Sequence, residues 1–156
     1  MIRVILVCIG LLALAAAGSL WFVCPCATVA GGPLSGEEIQ DPVSDWSFVN
    51  AAGDVPLCQV EVTTPVPYSV NVNCMSTAGA LYISCSHCDG KFWSSKALAT
   101  PAGRVRAGVS VYPIMFSRVL DEGELDAAWR ARAAKVGSTE VRQRPDHWWT
   151  FRLTSR

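Results

Sequence analysis

Three consecutive segments of the chain alternate between apolar and polar residues with a period of two. They are LCQVEVT (57–63), YSVNVNCM (68–75) and ALYISC (80–85). This period is typical of half-buried β-strands. The second and third segments are separated only by a short turn at residues 77–79, so they are predicted to form a hairpin. The polar face of the second segment carries Ser69, Asn71 and Asn73, which form either an ordinary outer surface or the lining of a cofactor groove.

The second half of the chain contains two helical segments and further strands. A short helix is predicted over residues 91–100, where the alternation breaks, and Pro101 ends it. A longer helix is predicted over residues 121–136, because Asp121 and Glu124 resemble a capping box and an apolar stripe follows at helical spacing. Strands are predicted at residues 104–107, 109–116 and 147–153. The fold class is therefore mainly β with two helices, arranged as a small antiparallel barrel.

An uncharged apolar segment, VILVCIGLLALAAAGSLWFV, occupies residues 4–23. Its length matches the roughly 20 residues that cross a bilayer, so it is predicted to be a transmembrane anchor, with a cleaved signal peptide as the alternative. Arg3 precedes the segment and acidic residues follow it. The prediction is a single-pass membrane protein whose C-terminal domain lies on the non-cytoplasmic side, or a protein secreted after cleavage. The predicted division is an anchor or signal peptide at 1–23, a linker at 24–45 and the folded domain at 46–156.

The charge balance excludes one class of partner. The chain carries 13 basic and 13 acidic side chains, so its formal charge is zero. A neutral chain lacks the basic surface by which proteins hold nucleic acid, and nucleic acid is not expected as a partner. The sequence also lacks a Ser-His-Asp order, a Walker loop and a paired-carboxylate site, so hydrolase chemistry has no support.

The chain has seven cysteines, of which two have the CxxC spacing. Cys85 and Cys88 could form a redox dithiol, or a zinc site with further ligands from His87 and two more cysteines, Cys58 and Cys74. A structural disulfide, or simply buried thiols, is favoured over both. The reason is that the pair follows a strand, whereas a redox pair normally begins a helix. No metal site is therefore assigned.

The order of these elements and a loose motif resemble the FMN-binding split-barrel superfamily. This group includes pyridoxamine-phosphate oxidases and deazaflavin-dependent nitroreductases, and the resemblance covers residues 56–155. It is carried by LYISCSHCDG at 81–90, Lys91, Trp93, Leu98, Pro101, RVRAGVSVYPIMFSRV at 104–119, Asp121, Glu124 and Trp129. The fold that this resemblance implies is a small split antiparallel barrel.

The resemblance also implies a cofactor site at the start of the short helix. In the family, cofactor phosphates bind near this loop and helix, which places Lys91, Ser94, Ser95 and Lys96 near a phosphate of FMN or deazaflavin. The partial positive charge of a helix N-terminus would add to the attraction. Trp93 is expected to cover the cofactor ring or the substrate, and catalytic residues are not assigned.

Two functions follow from this resemblance. The first is a membrane-anchored flavin- or deazaflavin-dependent reductase that passes hydride to a quinone-like or nitro-aromatic acceptor. Its partners would be the cofactor, the acceptor, the membrane and, as in many family members, a second copy of the chain. The alternative is a split barrel that has no cofactor and serves as a binding or structural module at the membrane.

Overall fold

The structure is a computed structural model that describes residues 2–23 and 31–156, with side chains of the first helix described over residues 5–18. Its strands are β1 (Glu37–Glu38), β2 (Cys58–Val62), β3 (Tyr68–Thr77), β4 (Ala80–Ser86), β5 (Ala102–Ala107), β6 (Ser110–Arg118) and β7 (Trp148–Ser155). Its α-helices are α1 (Ile2–Val23), α2 (Phe92–Ala99) and α3 (Glu122–Lys135), and a 3-10 helix spans Ser47–Asn50. The mainly β prediction is confirmed, and α1 is a third α-helix beside the two predicted ones.

Six of the strands close into an antiparallel barrel. They follow the order β6-β5-β2-β3-β4-β7, and β7 pairs again with β6. Two of the connections are two-residue hairpin loops, which need positive φ angles that few residues adopt. Ala78 and Gly79 have φ angles of 49° and 77° between β3 and β4, and Gly108 has a φ angle of 64° between β5 and β6. The predicted hairpin and the barrel are both confirmed.

The barrel interior is filled by the apolar faces that the alternation predicts. Val60, Ile83 and Phe151 are each 0% exposed, and they come from three different strands. A second apolar cluster lies outside the barrel, where α3 covers β3 and β4. There Met75 and Tyr82 pack with residues of α3 such as Leu125.

Helix α3 begins as its sequence predicts. The Asp121 side chain accepts a hydrogen bond of 2.8 Å from the main-chain N–H of Glu124. The Glu124 carboxylate does not complete a capping box at its own helix start; it accepts a hydrogen bond of 2.9 Å from the Tyr82 hydroxyl. Burial and this nearby carboxylate raise the pKa of Tyr82.

Residues 31–45, the described part of the predicted linker, contact the barrel. The main-chain N–H of Leu34 donates to Glu61 at 2.8 Å, and Leu34 is 7% exposed. Arg106 donates to the main-chain oxygen of Ser35 at 3.3 Å, and β1 pairs with β6 in parallel. This segment therefore covers part of the outer face of the barrel, while the domain boundary at residue 46 stays a prediction.

The predicted single-pass membrane localisation is wrong. Within residues 2–23 and 31–156, no helix has both the length and the apolar character that crossing a bilayer requires.

Lys135 gives a test of how α3 docks on the barrel. Its ammonium group donates to the main-chain oxygen of Cys74 at 2.8 Å, and burial lowers its pKa from 10.5 to about 8. Between these two pH values the unfolded chain holds more protons at this residue than the folded chain, so stability should rise with pH. We expect the free energy of unfolding to rise more between pH 8 and pH 10.5 in the wild type than in Lys135→Met. Urea titrations across this range measure the difference, and equal slopes would contradict the half-buried position of Lys135.

Candidate functional site

The loop between β4 and α2 is a tight turn that a disulfide closes. Cys85 and Cys88 are bonded to each other. His87 has a φ angle of 48°, which is uncommon for a residue other than glycine, and Gly90 has a φ angle of 73°. The main-chain N–H of Lys91 donates to the oxygen of Cys88 at 3.2 Å and leads the chain into α2.

Two of the predicted cofactor-binding residues lie in the interior. Trp93 is 5% exposed, and its ring centroid lies 5.5 Å from that of Phe151 in the barrel core. Ser94 is 0% exposed, and its hydroxyl donates to the main-chain oxygen of Cys88 at 2.5 Å. The Trp93 ring is therefore covered by protein, and the Ser94 hydroxyl stabilises the start of α2.

The other predicted residues lie at the surface, but they do not form one cluster. Lys91 is the N-cap residue of α2, and its ammonium group donates to the main-chain oxygen of Ser86 at 2.8 Å. Ser95 is exposed one turn along the helix. Lys96 lies in the last turn of α2, and its ammonium group is 5.6 Å from the centroid of the Phe92 ring. Lys91 therefore lies at the positive end of the helix dipole, whereas Lys96 lies toward its negative end.

Phe92 is an exposed aromatic residue at this surface that the sequence analysis did not select. It is 51% exposed, and its ring meets the Tyr68 ring edge-on with centroids 5.0 Å apart. Phe92 and Lys96 are four residues apart, a spacing at which helical side chains are neighbours. That spacing is the sequence signal that could have identified Phe92, rather than Trp93, as the outward ring.

A cavity of about 410 Å³ opens on the outer face of the barrel. Its lining residues are Asp54, Pro56, Leu57, Gln59, Asn71, Arg106, Gly108 and Val109. Gln59 is paired in register with Asn71 on one side and with Arg106 on the other, so three polar residues form a row across three strands. Asn71 belongs to the polar face that was considered for a cofactor groove. Gln59 and Arg106 were missed, although both stand at outward positions of predicted strands.

Side chains that could bind a metal ion do not converge in the described part of the chain. Over the described ranges 2–23 and 31–156, no group of three or more His, Cys, Asp or Glu residues is arranged around a common centre. Cys58 and Cys74 form a second disulfide inside the barrel. The four cysteines considered as zinc ligands are therefore paired in disulfides, and the absence of a metal site stays a prediction.

Comparison with solved structures shows where this architecture occurs. A protein from Listeria innocua assigned as a pyridoxamine 5′-phosphate oxidase matches 70% of this chain and 90% of its own, with 8% identity and a TM-score of 0.54. A protein from Bacteroides thetaiotaomicron assigned to 5-nitroimidazole antibiotic resistance matches 74% of this chain and 82% of its own, with 10% identity and a TM-score of 0.54. A FAD-binding protein from Mesorhizobium loti matches 70% of this chain and 86% of its own, with 15% identity and a TM-score of 0.50. No family model and no curated protein matches the chain. At these identities the likeness establishes the fold.

Proposed function

Because the chain has the fold of the FMN-binding split-barrel superfamily, we propose that it binds a flavin or deazaflavin cofactor and works as an oxidoreductase. In this proposal its acceptor is a quinone-like or nitro-aromatic compound. The similar structures are described as a pyridoxamine-phosphate oxidase, a nitroimidazole-resistance protein and a FAD-binding protein, which supports a cofactor of the flavin type.

The observation that carries the proposal is the position of Lys91 at the start of α2. A helix start presents main-chain N–H groups without helical partners and a partial positive charge, which together attract phosphate. The Lys91 ammonium group has three N–H donors, and the bond to Ser86 uses one of them. Lys91, with the exposed Ser95 hydroxyl one turn away, therefore fits the phosphate of such a cofactor. Trp93 and Ser94 are not available to such a cofactor, because both side chains are buried.

The chain's contribution to the chemistry would be binding and orientation. A flavin-type cofactor supplies the hydride transfer itself when it is bound. Lys91 and the start of α2 would hold its anionic end. Phe92, with 51% of its surface exposed, is the aromatic side chain available to pack against the rest of the ligand.

The proposal predicts that removing the charge of Lys91 lowers the affinity for the cofactor more than removing the charge of Lys96. The full chain is titrated with FMN and, separately, with a deazaflavin, while the fluorescence of the cofactor is followed. Lys91→Ala should weaken binding by at least about tenfold, because a hydrogen bond to a charged group contributes about 1.5–3 kcal/mol. Lys96→Ala should weaken binding less, since Lys96 lies in the last turn of α2.

The control for this titration is Arg130→Ala, which removes an exposed cation from α3 and should leave the affinity unchanged. Equal losses in all three variants would indicate general electrostatic attraction and reject the assignment of Lys91. No saturable binding of either cofactor to the wild type would reject the cofactor itself. A homodimer, which the resemblance implies, is checked by light scattering on the same samples with and without cofactor.

One observation favours the alternative, a split-barrel module without a cofactor. Burial of Trp93 and Ser94 removes two of the five residues assigned to cofactor binding. In a cofactor-free module this helix would serve only to close the end of the barrel. The same titration separates the two functions, because the module predicts no saturable binding of FMN or deazaflavin.

A further inference from the structure

The two disulfides of the described chain differ in their access to solvent. Cys58 and Cys74, which join β2 to β3, are 0% and 2% exposed. In the CxxC loop Cys88 is 0% exposed, but Cys85 is only half-buried at the end of β4. Disulfide exchange requires a thiolate to reach a sulfur atom. The second disulfide is therefore the more accessible of the two, on the side of Cys85, whereas the first disulfide is shielded by the barrel.

Two basic side chains, His87 and Lys91, belong to the CxxC loop or bond to it. The exposed His87 ring stacks on His147 with centroids 4.0 Å apart, and the main-chain N–H of His87 donates to the His147 oxygen at 3.0 Å. The Lys91 ammonium group donates to the main-chain oxygen of Ser86, which lies in the same loop. Imidazole and ammonium groups near a thiolate lower its pKa and favour its release. Asp89 is the acidic residue within the loop, and it is exposed.

We propose that Cys85 and Cys88 form a redox-active disulfide that oxidises a dithiol of a partner molecule. One thiolate of the dithiol attacks Cys85 Sγ. The bond between Cys85 and Cys88 breaks, a mixed disulfide forms, and Cys88 leaves as a thiolate. The second thiolate of the partner then attacks the mixed disulfide and releases Cys85. Two electrons and two protons pass from the dithiol to the cysteine pair, and the partner leaves as a disulfide.

The geometry assigns different roles to the two cysteines. Cys85 is the attacked cysteine because it is the less buried of the two. Cys88 is the leaving group, and it lies three residues before the N-cap of α2, near the positive end of that helix. Hydrogen bonds from Ser94 and Lys91 to the main-chain oxygen of Cys88 hold that residue in place. The disulfide can therefore break and form again while α2 stays docked on the barrel.

The first experiment compares the two disulfides within one protein. The native full chain is treated with reduced dithiothreitol for graded times, alkylated, and mapped by mass spectrometry of its peptides. We expect the Cys85–Cys88 pair to open at times that leave Cys58–Cys74 intact, because access controls the rate of exchange. The intact pair also reports that the protein remains folded. Opening of both pairs at the same rate, or of neither without denaturant, would overturn the proposal.

The second experiment tests the roles of the cysteines and does not involve any cofactor. In Cys88→Ser the remaining Cys85 thiol should react with 5,5′-dithiobis(2-nitrobenzoic acid) at least about tenfold faster than the Cys88 thiol in Cys85→Ser, because only Cys85 is accessible. The three cysteines outside the two described disulfides, Cys8, Cys24 and Cys26, are replaced by serine in both variants. Equal rates would overturn the assignment of roles.

A third measurement addresses activity and the histidine. The wild type should accelerate the oxidation of dithiothreitol by hydroxyethyl disulfide, and Cys85→Ser should abolish the acceleration. His87→Asn should reduce it, and asparagine suits the positive φ angle at this position. If the wild type gives no acceleration, the disulfide is structural and the proposal fails. Because neither reagent is a flavin, this result is independent of the proposed cofactor.

Discussion

Replacement of Trp93 with alanine is expected to lower the free energy of unfolding by about 3–5 kcal/mol, the usual cost of truncating a buried tryptophan. The side chain is 5% exposed and packs against Phe151, so the truncation leaves a cavity where α2 closes the barrel. A domain of this size is stable by only about 5–15 kcal/mol. The loss is measured by urea denaturation followed by tryptophan fluorescence and circular dichroism.

The neighbouring residue supplies the matched control. Phe92→Ala removes an aromatic ring of which 51% is exposed, and it should cost only about 0.5–1.5 kcal/mol, mainly from the contact with Tyr68. If the cofactor proposal is right, Phe92→Ala should change cofactor affinity more than Trp93→Phe does. A Trp93→Ala protein of wild-type stability would show that this side chain is not part of the core in solution.

Removal of the Cys58–Cys74 disulfide is the second substitution with a large expected effect. The two cysteines are 16 residues apart, and a cross-link over such a loop stabilises a protein by about 3 kcal/mol through the entropy of the unfolded chain. Both sulfur atoms also fill the barrel interior. We therefore expect the Cys58→Ala and Cys74→Ala double variant to lose at least about 3 kcal/mol in urea denaturation.

The CxxC pair provides the comparison for this loss. Cys85 and Cys88 are three residues apart, so the same relation gives a smaller contribution of about 2 kcal/mol. The Cys85→Ala and Cys88→Ala double variant should therefore be the more stable of the two. The opposite order would mean that the loop disulfide holds α2 in place, and it would weaken the redox proposal as well.

Local sequence patterns predicted most of the secondary structure. The alternation at Cys58, Val60 and Val62 marks the residues that face the barrel interior, and all three are at most 2% exposed. The pair Asp121 and Glu124 marked the start of α3, where the N-cap hydrogen bond is present. These features depend on neighbours within a few residues, so periodicity and capping reveal them.

The candidate site was predicted less well, because side-chain direction in α2 is not a local property. Phe92 and Trp93 are adjacent aromatic residues about 100° apart on the helix, and either could face inward on sequence grounds. Packing against Phe151 places Trp93 inside and leaves Phe92 at the surface. The assignment of Ser94 met the same difficulty, since its burial follows from the docking of α2 against the barrel.

The sequence by itself determined which residues share a face of each strand and where the strands turn, because these depend on backbone geometry over short distances. Only the tertiary structure decided which faces are covered. Gln59 stands at an outward position yet is 3% exposed, on the barrel face where Arg106 binds Ser35, 71 residues earlier in the chain. Burial of this kind arises from contacts between segments far apart in sequence, which no local period encodes.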